Sequence, residues 1–250
     1  MTSRPHAGVW ASASALALSL ALALAPCAKA ASLQVSPTSV TLRANQNADG
    51  LTLTNTGTAP LHAQVRVFRW TQQDNEDKLE PTRDLAISPP MLELAPGAQQ
   101  LVRVIRLRPP PEGVEISYRL IVDELPVETG KAKQGLQFVL RYSVPVFVLP
   151  RGGVESTPAL RTRIVHDRNT TFLEISNPGS QHAQVADLGY TTAGGERHSI
   201  AAGLSGYVLP GNTRRWPLPA IITVPTTGTF KARINGEPVE QSFTLDPLAP

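Results

Sequence analysis

Apolar and polar residues alternate with a period of two along much of the chain, and the longest such run lies between Gly135 and Pro150. Leu136, Phe138, Leu140, Tyr142 and Val144 fall on one side of it, and Gln137, Val139, Arg141 and Ser143 on the other, the signature of a β-strand. At about 3.3 Å per residue the alternating part spans on the order of 30 Å, longer than a common strand of about five or six residues. Pro145 cannot donate to a ladder, so at that point the strand is expected to be an edge, to bulge or to change sheet. A long edge bearing bare apolar side chains is a hazard unless pairing with another chain is its purpose. A central core strand with one kink would show the same periodicity, and the pattern alone does not choose between the two.

No helical period emerges from Ala31 onward; short alternating or β-branched runs are broken by Gly, Pro, Asn and Asp. Strands are predicted at Leu33 to Val35 and Val40 to Leu42, interrupted at Pro37, then at Leu51 to Thr54, His62 to Trp70, Gln100 to Leu107 and Tyr118 to Leu125. Gln72 to Asp77, Pro109 to Gly113 and Val127 to Gln134 are predicted loops, and Pro96-Gly97 marks a tight turn. A second set of strands follows Arg151-Gly152-Gly153, and the sequence repeats itself there. Asn55-x-Gly57 with His62-Ala63-Gln64-Val65 recurs as Asn177-x-Gly179 with His182-Ala183-Gln184-Val185, and Leu94-Ala95-Pro96-Gly97 as Val208-Leu209-Pro210-Gly211. The shared order points to two similarly built immunoglobulin-like β-sandwiches, an all-β chain divided as 31–150 and 151–250. Asn235-Gly236 predicts a two-residue hairpin between Phe230 to Ile234 and Val239 to Leu245.

The first thirty residues read differently. Arg4 precedes an Ala/Leu run from Ala11 to Ala25, and Ala28-Lys29-Ala30 has the small-residue form of a secretory cleavage site, so residues 1–30 are expected to leave as a signal peptide cut after Ala30. Leu24-Ala25-Pro26-Cys27 is a poor lipoprotein site because proline precedes the cysteine. The run is short for a membrane span, and the exported chain is expected to have no stable membrane insertion. Loss of Arg4 and Lys29 lowers the net charge of +3 by two, leaving no field that would attract nucleic acid. The single cysteine, Cys27, leaves with the signal, so the core alone must hold the mature chain together.

Catalytic chemistry finds little support. The five histidines include no pair at ligand spacing, the serines lack a Gly-x-Ser-x-Gly elbow, and His166-Asp167 are strand neighbours that point to opposite faces. No catalytic residue, metal site or cofactor is expected. Arg66 and Arg69, with Arg103, Arg106 and Arg108, form a basic group that either holds an anion or solvates a sheet. Arg119 is different, because it interrupts the apolar strand Tyr118-Arg119-Leu120-Ile121-Val122. A half-buried guanidinium requires an anionic partner, which could be Asp123 or Glu124 nearby or a carboxylate brought by another molecule.

Taken in order, Ser88-Pro89-Pro90, Leu94-Ala95-Pro96-Gly97, Gln100-Leu101-Val102-Arg103, Tyr118 to Pro126 and the alternating strand ending at Pro150 resemble the N-terminal domain of periplasmic pilus chaperones of the chaperone–usher pathway. The resemblance is nearest to the archaic or spore-coat-type branch and extends into the second domain. It implies two immunoglobulin-like domains set as a boomerang, which cap incomplete pilin subunits in the periplasm and deliver them to an outer-membrane usher. Leu136, Phe138, Leu140, Tyr142 and Val144 would be the donated residues. Relatives anchor the subunit's terminal carboxylate with an arginine on the first strand and a lysine late on the donor strand; those positions here are Ser39 and Pro145. Neither can do so, which makes Arg119, and more weakly Arg141, the expected anchor. Glu124 matches the acidic member of the family's interdomain ion pairs, while Leu149 stands at the basic position with Arg151 two residues on. A self-dimer of the unloaded chain is left open. The alternative is an exported immunoglobulin-like structural or adhesive surface subunit that uses the same edge for self-assembly.

Overall fold

The structure, a computed structural model, describes residues 33–126, 139–152, 158–222 and 227–246. The expected signal peptide, Leu136 and Phe138 lie outside these segments. All regular elements are strands: β1 Leu33–Ser36, β2 Val40–Leu42, β3 Ala48–Asn55, β4 Leu61–Gln73, β5 Glu76–Pro81, β6 Leu85–Ser88, β7 Met91–Leu94, β8 Gln99–Arg106, β9 Ile116–Leu125 and β10 Arg141–Val148, followed by β11 Arg161–Asp167, β12 Thr170–Ser176, β13 Ala183–Thr191, β14 Arg197–Val208, β15 Thr213–Pro217, β16 Thr229–Ile234 and β17 Gln241–Phe243.

In the first sandwich a sheet ordered β1-β3-β8-β6 faces one ordered β2-β10-β9-β4-β5, with β7 also pairing β4. Two of the chain's changes of sheet fall at prolines, between β1 and β2 at Pro37 and between β6 and β7 at Pro89-Pro90. Proline supplies no ladder donor, so both crossings occur where pairing would fail anyway. Leu33, Leu51, Leu53, Val102 and Val104 from one sheet meet Ala63, Val65, Leu120, Val122 and Val146 from the other, all essentially buried. The second sandwich packs β11-β12-β15 against β14-β13-β16-β17 around Leu173, Ile175, Val185, Leu188, Phe230 and Ile234.

The internal repeat has a structural counterpart. Asn55 is fully buried; its Nδ2 donates to the carbonyls of Ala59 and Leu94 at 2.8 and 2.9 Å, and its Oδ1 accepts the Gly57 N–H at 2.9 Å. Asn177 repeats the set, donating to Gln181 and Val208 at 2.7 and 3.0 Å and accepting from Gly179 at 3.0 Å. The Pro-Gly turns close the same way, with the N–H of Gly97 on the Asn55 carbonyl and that of Gly211 on the Asn177 carbonyl. Each asparagine therefore buckles one strand end to a distant turn, satisfying a carbonyl, of Leu94 or Val208, that burial would otherwise strand.

Two expectations are corrected. Gln72 to Asp77 is not a loop: β4 runs through Gln73, only Asp74 and Asn75 turn, both at positive φ, and β5 returns along β4. Every residue of β5 is exposed, so no alternation betrayed it. Asn235-Gly236 does turn at positive φ, but β16 and β17 pair only from Ala232 opposite Gln241, beyond Pro238, which cannot donate.

β10 lies between β9, along its whole length, and β2, which meets it in parallel only over Val146–Val148. From Arg141 to Pro145 no described strand flanks its other side. Pro145 thus sits where an edge gives way to an interior strand, one of the arrangements its missing N–H allows.

Candidate functional site

Even-numbered β4 residues from Gln64 to Trp70, with odd-numbered β9 and β10 residues, form the outer face of the sheet that carries β10. Cross-strand register sets them in rows: Arg141 beside Asp123 and Gln64, Ser143 beside Ile121 and Arg66, Pro145 beside Arg119 and Phe68. The last rows, with Trp70 and Phe147, run under the second sandwich. Trp70, Phe147, Tyr207 and Leu209 form a buried cluster there, tying the two bodies at an angle.

The cations on this face divide into two kinds. Arg66 holds Asp123 at 2.6 Å and Arg141 pairs with its other oxygen. Burial alone would raise the Asp123 pKa, but the hydrogen bonds and charges of the two guanidiniums outweigh it and hold the carboxyl below its ordinary value. Asp123 is thereby committed, and Arg141 with it. Arg119 has no carboxylate within 4 Å among the described residues; its Cζ lies 3.6 Å above the Trp70 ring and 5.1 Å from that of Tyr207, while Nη1 reaches the Ser143 carbonyl at 3.5 Å. Burial pushes its pKa down, with opposing help from Tyr207 and Asp77. Cation–π contact compensates part of that desolvation, and a carboxylate would add charge-assisted bonds from the guanidinium's fork. Trp70 Nε1 beneath it is buried without a partner among the described residues. A cation on an aromatic floor, in the angle between two bodies, can receive a carboxylate.

The join itself differs from expectation. Glu124 lies at the end of β9 that pairs with Leu140, remote from where the chain crosses to the second sandwich, and Arg151 bonds back to Pro111 within the first. The contact is made by Glu115, whose side chain is fully buried and accepts both the backbone N–H of His182 at 2.9 Å and its Nδ1 at 3.0 Å. The His182 ring stacks on Phe147 with centroids 3.4 Å apart. Gln72 bridges further, donating to the Tyr207 carbonyl and accepting the Leu209 N–H, both at 2.9 Å. At the β4–β5 tip, Asn75 Oδ1 accepts the Arg215 N–H at 2.7 Å, and Asp77 pairs with Arg214 at 2.9 Å. Nothing in the spacing of Glu115 and His182 signalled this; His182 stood out only as part of the repeat.

Of the donor-strand residues within the described segments, Leu140 and Tyr142 are half-buried against the first sandwich's own core, and the Tyr142 hydroxyl donates to the Leu33 carbonyl. Val144 is 4% exposed. It is a core residue here rather than one open to a partner, because the inner face of β10 at that point already lies over the sandwich interior.

Residues 32–153 match the family model described as pili and flagellar-assembly chaperone, PapD N-terminal domain. Solved structures agree with this. The chain is similar to a chain of the CsuC–CsuE chaperone–tip adhesion subunit pre-assembly complex from archaic chaperone–usher Csu pili of Acinetobacter baumannii, at 24% identity over 85% of this chain and 97% of that one, with a TM-score of 0.68. It is likewise similar to a chain of the Salmonella enterica SafA pilin–SafB chaperone complex (18% identity, 87% and 98% covered, TM-score 0.62) and to the E. coli chaperone DraB (19%, 86% and 98%, TM-score 0.61). No curated protein sequence matches the chain. The family model identifies residues 32–153 as the N-terminal domain of a pilus-assembly chaperone, and the solved chaperones share the fold of the chain as a whole.

Proposed function

We propose that this chain is a periplasmic chaperone that stabilises incomplete pilin-type subunits by lending them the edge of β10, grips their terminal carboxylate at Arg119, and passes them to an outer-membrane usher. The observation that carries this is the row in which Arg119 stands beside Pro145: the guanidinium is delivered from β9 to the position that the donor strand itself cannot serve. Main-chain hydrogen bonds along the open edge supply affinity, and apolar side chains on the inner face supply specificity. Leu136, Phe138 and Leu140 are the donated side chains; each would contribute about 1.5–3 kcal/mol on burial, enough to hold a subunit yet leave it exchangeable. The archaic-type branch fits the similarity to the Csu complex and the basic residue's displacement to β9.

The test is co-purification from the periplasm of the source organism. A small incomplete β-subunit should accompany the wild type in one-to-one ratio and be lost from a Phe138→Asp/Leu140→Asp variant. Retention of the partner by the variant would refute strand donation from this edge. Size exclusion checks the same point, since a chaperone gives discrete small species and a self-assembling surface subunit grows.

A further inference from the structure

Arg119 is not the only cation at its end of the cleft. Arg214, on β15 of the second sandwich, has a side chain 24% exposed and is held by Asp77 at 2.9 Å. Its Nε lies 4.0 Å from where a Cβ on Gly206 would stand, one residue before the Tyr207 whose ring centre is 5.1 Å from the Arg119 Cζ. Gln72 knits the group together, its Nε2 donating both to the Asp77 carboxylate and to the Tyr207 carbonyl at 2.9 Å. Asp77 and Arg214 are both within electrostatic reach of Arg119, with opposite effects on it. Arg119 over the Tyr207 ring and the Asp77–Arg214 pair, tied through Gln72 to the Tyr207 carbonyl, thus lie about one residue, two arginines to one aspartate, with a net positive charge.

Resting on the reading of Arg119 as the anchor, we propose that the carboxylate site is split between the two sandwiches: Arg119 supplies one arm and Arg214 the other. Asp77 holds Arg214 in place while the site is empty and competes with the incoming carboxylate. The ligand class is a peptide chain terminus with a free carboxylate, and its capture ties the second sandwich to the bound chain as well as the first. Arg214 is a specificity residue that distinguishes a chain end from an internal segment or an amide.

The full mature chain, titrated with acetyl-alanyl-alanine and with its amide and followed through the indole N–H resonance of Trp70, tests this. The free acid should bind at least about tenfold more tightly than the amide, the scale of a charge-assisted bidentate contact. Arg119→Gln should abolish the preference, Arg214→Gln should weaken acid binding about tenfold, Arg214→Lys should restore part of it, and Asp77→Asn should strengthen it. The opposed signs matter, because Arg214→Gln and Asp77→Asn both break the same interdomain ion pair, and a purely structural role would move them together. If Arg119→Gln abolishes the preference while Arg214→Gln does nothing, or both partners of the pair weaken binding alike, the split site is wrong and the Arg119 anchor stands. If Arg119→Gln keeps the preference, the anchor itself is wrong.

Discussion

Arg119 stands directly across the ladder from Pro145, its guanidinium 3.6 Å above the ring of Trp70. Charge reversal there tests its role cleanly. Arg119→Glu should reduce recovery of the co-purifying subunit at least about tenfold. It should shift the unfolding midpoint by only a few degrees, because the cation–π contact it removes is worth about 0.5–2 kcal/mol. Pull-down and a circular-dichroism melt on the same preparation separate the two effects.

The two asparagine buckles should weigh similarly in their own sandwiches. Asn55→Ala and Asn177→Ala each strand two carbonyls and one N–H, and each should cost about 2–4 kcal/mol in urea unfolding. Asn177→Asp, which keeps Oδ1 but loses both donations, should recover little of the loss.

Glu115 and His182 should be strongly coupled. Removing the histidine leaves a carboxylate buried at the join with the backbone N–H at residue 182 and a long 3.4 Å bond from the Ser117 hydroxyl to answer it, so a Glu115→Ala/His182→Ala cycle should return an interaction energy of about 1–3 kcal/mol. Chemical unfolding of the four proteins measures it, and small-angle scattering should show a wider spread of angles for either single variant.

Asp123 and Glu174 predict how the protein fails in acid. Each is flanked by two arginines, Arg66 and Arg141 in one case and Arg163 and Arg215 in the other, and both carboxyls are held below their ordinary values because those hydrogen bonds and charges outweigh burial. A depressed folded pKa means stability fully present above the unfolded value, about 4, and lost as pH falls through the folded one. The slope of unfolding free energy between about pH 5 and pH 3 should therefore flatten in Asp123→Asn and in Glu174→Gln, and flatten further in the double variant.

What the sequence reveals follows from where each signal arises. Period-two alternation reports a strand with one face in a core, so β3, β4, β8 and β9 were legible while wholly exposed β5 was not. Arg119 was legible as a charge out of place in an apolar run, and the commitment of Asp123 to Arg66 and Arg141 is what sets it apart from its neighbours. Expectation failed at the join. Whether Glu124 or Glu115 meets the second sandwich depends on which end of β9 lies near the crossover, a fact of three-dimensional register that one-dimensional spacing does not contain. The same holds for Val144, whose parity placed it on the right face of β10 but could not say that the sandwich's own interior already occupies that face.

The three residues of β2 act as the end stop of a ruler. Because Val40–Leu42 already fills the flank of β10 from Val146 onward, a visiting strand laid along the open edge can advance no farther than Pro145. On the proposed strand exchange, a chain that ran out at that mark would leave its last atoms near Pro145, across whose ladder Arg119 stands. Segments that continued past it would collide with β2, and on that reading the scaffold would measure where a polypeptide finishes and not merely what it is made of.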